Sequence, residues 1–199
     1  MNARPSRRRL MGLAIGSIWL VAIGGVFGIW ALIAIDTAMA RGTLAGAAAF
    51  IVALIAVGAV VVRATKQLPI EAPRSEELGV PGRFAWIVGL EILAFAVVNS
   101  WAAMSRRFEL IPSLDLIIVG VHFFPLARLF RVPRYYLMAV LFCAIPLATL
   151  AWVPQELLVG HAPSWYVLPS LGCGAVASLM AAASLREAWN SSNGTRRAV

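Results

Sequence analysis

Six apolar stretches recur along this chain of 199 residues, each near the ~20 residues that an α-helix needs to cross a hydrocarbon layer ~30 Å thick. They run from Leu10 to Ile35, Thr43 to Val62, Phe84 to Met104, Ile111 to Phe130, Tyr135 to Val153 and Trp165 to Leu185, each bounded by charges or turn formers. The bilayer core offers backbone N–H and C=O groups no water, so runs of this length predict helices, whose hydrogen bonds close within the segment. The expected fold is an all-α integral membrane protein, a single six-transmembrane-helix bundle over residues 1–199. Residues 63–83 form a cytoplasmic loop in this reading, and residues 186–199 a cytoplasmic tail. The composition agrees: 61% hydrophobic and 13% charged residues are too apolar and too lightly charged for an ordinary soluble domain.

The formal net charge of +8 does not point to nucleic acid, because the basic residues lie between apolar runs and not on a recognition element. Their distribution instead sets orientation, since cytoplasmic loops retain Lys and Arg during insertion. One side of a six-span chain carries Arg4, Arg7, Arg8, Arg9, Arg63, Lys66, Arg74, Arg83, Arg128, Arg131, Arg134, Arg186, Arg196 and Arg197; the other carries only Arg41, Arg106 and Arg107. Fourteen against three places both termini in the cytoplasm, and removing any one span would destroy the asymmetry. Lys66 is the one lysine against sixteen arginines. With the abundant Ala and Gly, this is the compositional bias of a GC-rich bacterial genome, and the expected location is a bacterial inner membrane.

The first run follows four arginines and ends near Ala38-Met39-Ala40, as a cleaved signal peptide would, but it is longer than the usual ~7–15 residue signal core and is read as a true span. Asn190-Ser191-Ser192 and Asn193-Gly194-Thr195 match the glycosylation pattern, yet fall in the expected cytoplasmic tail. Cys143 and Cys173 both lie inside apolar runs and read as buried structural thiols, with a disulfide open only if their helices touch. Gly12-x-x-x-Gly16, Gly24-x-x-x-Gly28, Gly42-x-x-x-Gly46 and Gly174-x-x-x-Ser178 have the spacing that lets helix backbones approach closely. They imply a compact bundle in the lipid bilayer, and such faces also suit a homo-oligomer or another membrane-protein partner. Pro125, Pro146 and Pro169 mark positions where the last three spans can bend.

Polarity is concentrated in the third and fourth runs, which hold Glu91, Asn99, Ser100, Asp115 and His122. Ionisable groups at mid-membrane cost on the order of 2.5–3.5 kcal/mol each, so they should face protein or water and find partners. The short turn around Arg106, Arg107 and Glu109 makes these two spans antiparallel neighbours, and facing residues then have position numbers adding to a near-constant total. Glu91 with His122, Phe95 with Ile118, and Asn99 with Asp115 satisfy this to within one residue. At 3.6 residues per turn, His122 and Asp115 lie within roughly 20° of each other and Glu91 and Asn99 within about 80°, so one face of the hairpin can carry both polar layers. Glu91 and His122 would each sit ~10 Å from the cytoplasmic ends of their helices.

A carboxyl and an imidazole in contact titrate as one coupled unit, a property suited to handling protons near neutral pH. Glu91 and His122 are therefore candidates for a proton- or cation-coupling site, with Asn99 and Asp115 lining the extracytoplasmic side of the same path. The competing reading is structural: Glu91 and His122 fix helix pairing, and Asp115 answers Arg106 or Arg107. One imidazole and one carboxylate fall short of the three or four protein ligands of a zinc site, and His161 with Glu156 belongs to an outer loop. No nucleophile motif, glycine-rich phosphate loop or paired acidic motif of a lipid enzyme is present, so neither an enzyme nor a cofactor is expected.

The segment Gly120-Val121-His122-Phe123-Phe124-Pro125-Leu126-Ala127, continuing through Leu129-Phe130-Arg131-Val132-Pro133 to Tyr135-Tyr136, resembles a stretch found in bacterial multi-pass inner-membrane proteins to which no activity is attached. That resemblance implies a membrane location and puts His122 inside the recognisable segment. Two functional classes follow from the residues: a small transport-like protein, or a non-catalytic structural or accessory membrane subunit.

Overall fold

The computed structural model describes residues 20, 24–25, 27–29, 31–32, 35, 38–66, 80–130 and 132–197. These are almost entirely helical: α1 (Ala38–Lys66), α2 (Val80–Met104), a 3₁₀ turn (Phe108–Leu110), α3 (Ile111–Phe130), α4 (Arg134–Trp152), strands β1 (Leu158–Val159) and β2 (Ala162–Pro163), and α5 (Ser164–Arg197). Four helical stretches among the described residues are long and apolar enough to cross a membrane, Gly82–Met104, Phe108–Phe130, Arg134–Trp152 and Ser164–Glu187. They coincide with the last four of the six expected spans. The second expected span lies within α1, where the apolar stretch is the shorter Ile51–Val60. Most of the first expected span lies outside the described residues, as do residues 67–79 of the expected 63–83 loop.

The turn from α2 to α3 shows why these two helices are held as neighbours. Arg106 takes a left-handed conformation, φ 55°, which lets Arg107 N–H donate to Ala102 O at 2.8 Å and Arg106 N–H donate to Ala103 O at 3.1 Å. This paired 6→1 and 5→2 pattern is the Schellman ending, which satisfies helix-end carbonyls and reverses the chain at once. The 3₁₀ turn then leads directly into α3.

The core is built where α3, α4 and α5 meet. Leu116, Val119, Phe123 and Leu126 of α3 pack with Met138, Ala139 and Phe142 of α4 and with Cys173, Ala177 and Ala181 of α5. Phe123 meets Phe142 and Tyr135 edge-on, with ring centroids 6.0 and 5.6 Å away. Cys143 and Cys173 are both free thiols. Pro146 and Pro169 are fully buried, so two of the three expected bends lie inside the packed part of the bundle.

Small residues set the closest approaches. A β-carbon on Gly120 would stand 2.6 Å from Cys143 Sγ and 3.1 Å from Ala139 O. One on Gly174 would stand 2.9 Å from Gly24 O and 3.5 Å from Gly28 Cα, and one on Gly24 would collide with Ala177. The Gly24-x-x-x-Gly28 and Gly174-x-x-x-Ser178 motifs thus meet each other inside the chain, using close packing as the main source of helix affinity in lipid.

Two boundaries differ from expectation. Residues after Leu185, expected to be a tail, continue α5 as far as Arg197. The connection 154–163 contains a minimal antiparallel pair, Leu158 opposite Pro163 and Val159 opposite Ala162, turned through Gly160 at φ 66°. This hairpin is seated on Ile35 and anchored by Ser164 N–H donating to Leu157 O at 2.9 Å. The indole Nε1–H of Trp165 donates to Val153 O at 2.8 Å, tying the start of α5 to the end of α4.

Because Gly120 has no room for a methyl group, Gly120→Ala is expected to force α3 and α4 apart and destabilise the fold by about 1–3 kcal/mol. Gly82 and Gly89, around which a β-carbon would meet nothing within 4 Å, are expected to accept alanine without loss. Thermal denaturation of the three variants in detergent, followed by circular dichroism, checks the contrast.

Candidate intramembrane polar site

The helix α2 is apolar on all sides, yet its burial has a clear period. Ile87, Val88, Glu91, Ala94, Phe95, Val98, Asn99 and Ala102 are buried or half-buried, while the positions between them are exposed. This is the heptad spacing of a helix that packs along one seam. Its partner along that seam is α3. The opposite face faces outward, with Trp86 77% exposed and Met104 86% exposed.

Three contacts close the seam, each about two turns from the next. At one end Phe84 meets Phe130, with ring centroids 6.0 Å apart. In the middle, His122 Nδ1 lies 3.2 Å from Glu91 Oε2, and the two side chains are only 10% and 17% exposed. Nearer the other end, Asn99 Nδ2 donates to Asp115 Oδ1 at 2.9 Å and to Phe95 O at 3.0 Å. The structure therefore brings together both pairs that the antiparallel register matched, with Phe95 packed against the core between them.

The two layers differ in depth and in chemistry. Glu91 is nine residues from Gly82 and His122 eight from Phe130, which puts them roughly 12–14 Å inside their helices. Asp115 is one turn from the start of α3, roughly 6 Å deep. The Asn99–Asp115 layer is a closed hydrogen bond. The Glu91–His122 layer is not: His122 Nδ1 is fully buried and has no aligned hydrogen-bond partner despite its short distance to the carboxylate. The backbone of Ile87, one turn before Glu91, is also within reach of the ring. A proton on either partner thus has a second polar atom beside it, and few alternatives nearby.

Position along α3 decides what each side chain meets. His122 and Phe123 are consecutive and so point about 100° apart, the imidazole into the α2 seam and the phenyl ring into the core. Ser100 is exposed on the outer face of α2 and takes no part in the seam. Glu156 and His161 are exposed in the outer connection, away from both pairs. The partner of Asp115 is Asn99, not Arg106 or Arg107 as the structural reading expected. No group of three or more His, Cys, Asp or Glu side chains able to hold a metal ion occurs among the described residues.

A second polar cluster escaped sequence reasoning. Arg134, at the start of α4, is paired with Glu187 near the end of the apolar part of α5, and its Nη1 donates to Ser184 Oγ at 3.1 Å. Ending the last span at Leu185 hid it. The signal was the absence of any Gly or Pro between Ser184 and Trp189, with Ser184 and Glu187 one turn apart. At the opposite end, Ser113 Oγ donates to Trp165 O at 2.9 Å, a link between α3 and α5 that apolar periodicity does not announce. Comparison of the chain with known protein families, with curated proteins and with solved structures finds no match.

Removing the Asn99 amide leaves the Asp115 carboxylate half-buried without its partner. Asn99→Ala is expected to cost about 0.6–1.7 kcal/mol, the range measured for interhelical hydrogen bonds in membranes, and Asn99→Ala with Asp115→Ala together less than the sum of the two singles. A double-mutant cycle on unfolding free energies, in mixed micelles with a denaturing detergent, reads the coupling.

Proposed function

We propose that this chain is a small transport-like protein in which Glu91 and His122 form a proton- or cation-coupling site, set in a six-span bundle of a bacterial inner membrane with both termini in the cytoplasm. The observation that carries the reading is the 3.2 Å approach of a carboxylate to an imidazole deep within two apolar helices, with the ring nitrogen lacking an aligned hydrogen bond. A pair kept only for helix pairing would be expected to close its hydrogen bond, as Asn99 and Asp115 do. Two polar groups adjacent yet incompletely satisfied are instead poised to exchange a proton, and intramembrane ionisable residues on one seam are characteristic of proton paths. Asn99 and Asp115 line the extracytoplasmic end of the path in this reading.

The orientation is supported by the arrangement of charges. Contacts between Phe84 and Phe130, and between Arg134 and Glu187, gather the start of α2, the end of α3, the start of α4 and the apolar limit of α5 at one end of the bundle. Arg83, Arg128, Arg134 and Arg186 therefore share that end, and Arg106 and Arg107 lie at the other, the asymmetry of cytoplasmic and outer sides.

A second reading, a non-catalytic accessory subunit in which the seam only fixes helix packing, is favoured by the closed Asn99–Asp115 layer. Accessibility separates the two. In a background lacking Cys143 and Cys173, reaction of His122→Cys with a membrane-impermeant thiol reagent from one side, together with proton flux into proteoliposomes of the chain with both residues native that Glu91→Gln abolishes, supports the coupling site. Failure to react from either side, together with proton flux into proteoliposomes unchanged by Glu91→Gln, refutes it.

A further inference from the structure

We infer that α2 is the moving element of this bundle, docked on α3 when the Glu91–His122 pair holds one proton between them and released when the pair holds none or two. The inference deepens the proposed coupling site, on which it rests, by naming what the proton controls.

The helices are held unequally. Among the described residues, α3, α4 and α5 share one core, closed by aromatic contacts and by glycine approaches with no spare space. Among the described residues, α2 packs mainly against α3 and the short turn between them, with Ile87 and Phe95 reaching the core. Its connection to α3 is tight, through the Arg106 turn, so that end is a pivot, and the other end is held by the Phe84–Phe130 ring contact and by Ile87 against the core. Ile87, Phe95 and Ala102 hold α2 by apolar packing and Phe84 by its contact with Phe130, and two polar pairs add to these contacts. Of these, the Asn99–Asp115 bond lies near the pivot, and the Glu91–His122 pair lies farther along the lever.

Proton count then fixes the net charge trapped in the seam. With one proton the pair is neutral overall, whether as carboxylate and imidazolium or as carboxylic acid and imidazole. With none it carries one negative charge, and with two it carries one positive charge. Either charge is expelled from an apolar seam toward water or headgroups, and of the two helices on that seam α2 is the one with less other packing among the described residues. The pair is thus a latch with a bell-shaped dependence on pH.

Among the described residues, other titratable groups do not supply the neutralising charge. On α3, Asp115 is taken by Asn99, and Arg128 is exposed beyond the seam. On α4, Arg134 is paired with Glu187, Tyr135 packs on Phe123, Tyr136 packs on Phe124, and Cys143 backs Gly120. On α5, Cys173 is in the core, and Tyr166 packs in the separate cluster beside the outer hairpin. On α2 itself, Arg83 is at the exposed end of the helix.

The test is a distance measurement by electron spin resonance. Nitroxide labels are attached at Trp86→Cys and Arg128→Cys, both outward-facing, in a full-length chain with Cys143→Ala and Cys173→Ala, reconstituted in lipid and taken from acid to alkaline pH. A single distance population is expected in the middle of the range, with a longer population growing several-fold at both extremes. A control pair at Arg128→Cys and Leu179→Cys, which does not involve α2, is expected to stay fixed. Glu91→Gln should abolish the alkaline limb, His122→Gln the acid limb, and the double variant both. The inference is overturned by an invariant distance in the chain that keeps both residues, by a pH response surviving in the double variant, or by equal movement of the control pair. If the variants fail to fold, the parent series and its control decide alone. Proton flux in the same vesicles keeps the two claims apart: movement without flux sinks the coupling site and leaves the latch, whereas flux without movement does the reverse.

Discussion

A carboxylate inside an apolar bundle has nowhere to go except another polar group, and that single constraint organises the α2–α3 hairpin. Glu91 and Asn99 lie two turns apart on α2, and Asp115 and His122 two turns apart on α3, so only one antiparallel register lets both pairs meet. A slip by one residue would swing each side chain about 100° and leave up to four polar groups facing hydrocarbon. Packing alone does not specify this register, because α2 is apolar on all sides and would slide along α3 with little preference. The polar pairs supply the specificity, and the left-handed Arg106 turn makes the register reachable by fixing the helix ends.

This explains which parts of the structure were legible in the chain. The last four spans were readable because hydrocarbon thickness imposes a length, and α3 begins and ends at Ile111 and Phe130 as that length requires. The pairing of Glu91 with His122 was readable because polar residues are scarce there and the turn is short. By contrast, Arg134 with Glu187 joins helices separated by a long connection, and both residues lie at the bundle edge, where polarity is ordinary and carries little information. The miniature strands at 158–159 and 162–163 were hidden for another reason: two residues are too few to show a period, and Gly160 is needed mainly because the turn lies against Ile35. Neither length nor periodicity reports on how the first run is placed, since Gly24 and Gly28 approach Gly174 of α5 and Gly25 approaches Ile51 of α1.

The two sides of α3 show how stability and chemistry are kept apart. On the core side, Leu116, Val119, Phe123 and Leu126 interlock with α4 and α5, and Gly120 permits the close approach of α4. Any ionisable group there would have to displace a large side chain from a filled interior, at the cost both of a cavity and of a buried charge. On the seam side, α2 is the helix that covers α3 among the described residues. A polar group can be satisfied there by a single partner on α2, as Asp115 is by Asn99.

It follows that the location of His122 next to Phe123 in sequence is informative in itself. Moving the imidazole by one position would place it among Tyr135 and Phe142, held rigidly and reachable by nothing. In its actual position it faces α2, whose outer face carries Gly82, Gly89, Ala96 and Ala103 seven residues apart, all exposed among the described residues. The polar pairs thus sit on the α2–α3 interface, apart from the filled interior that α3 shares with α4 and α5.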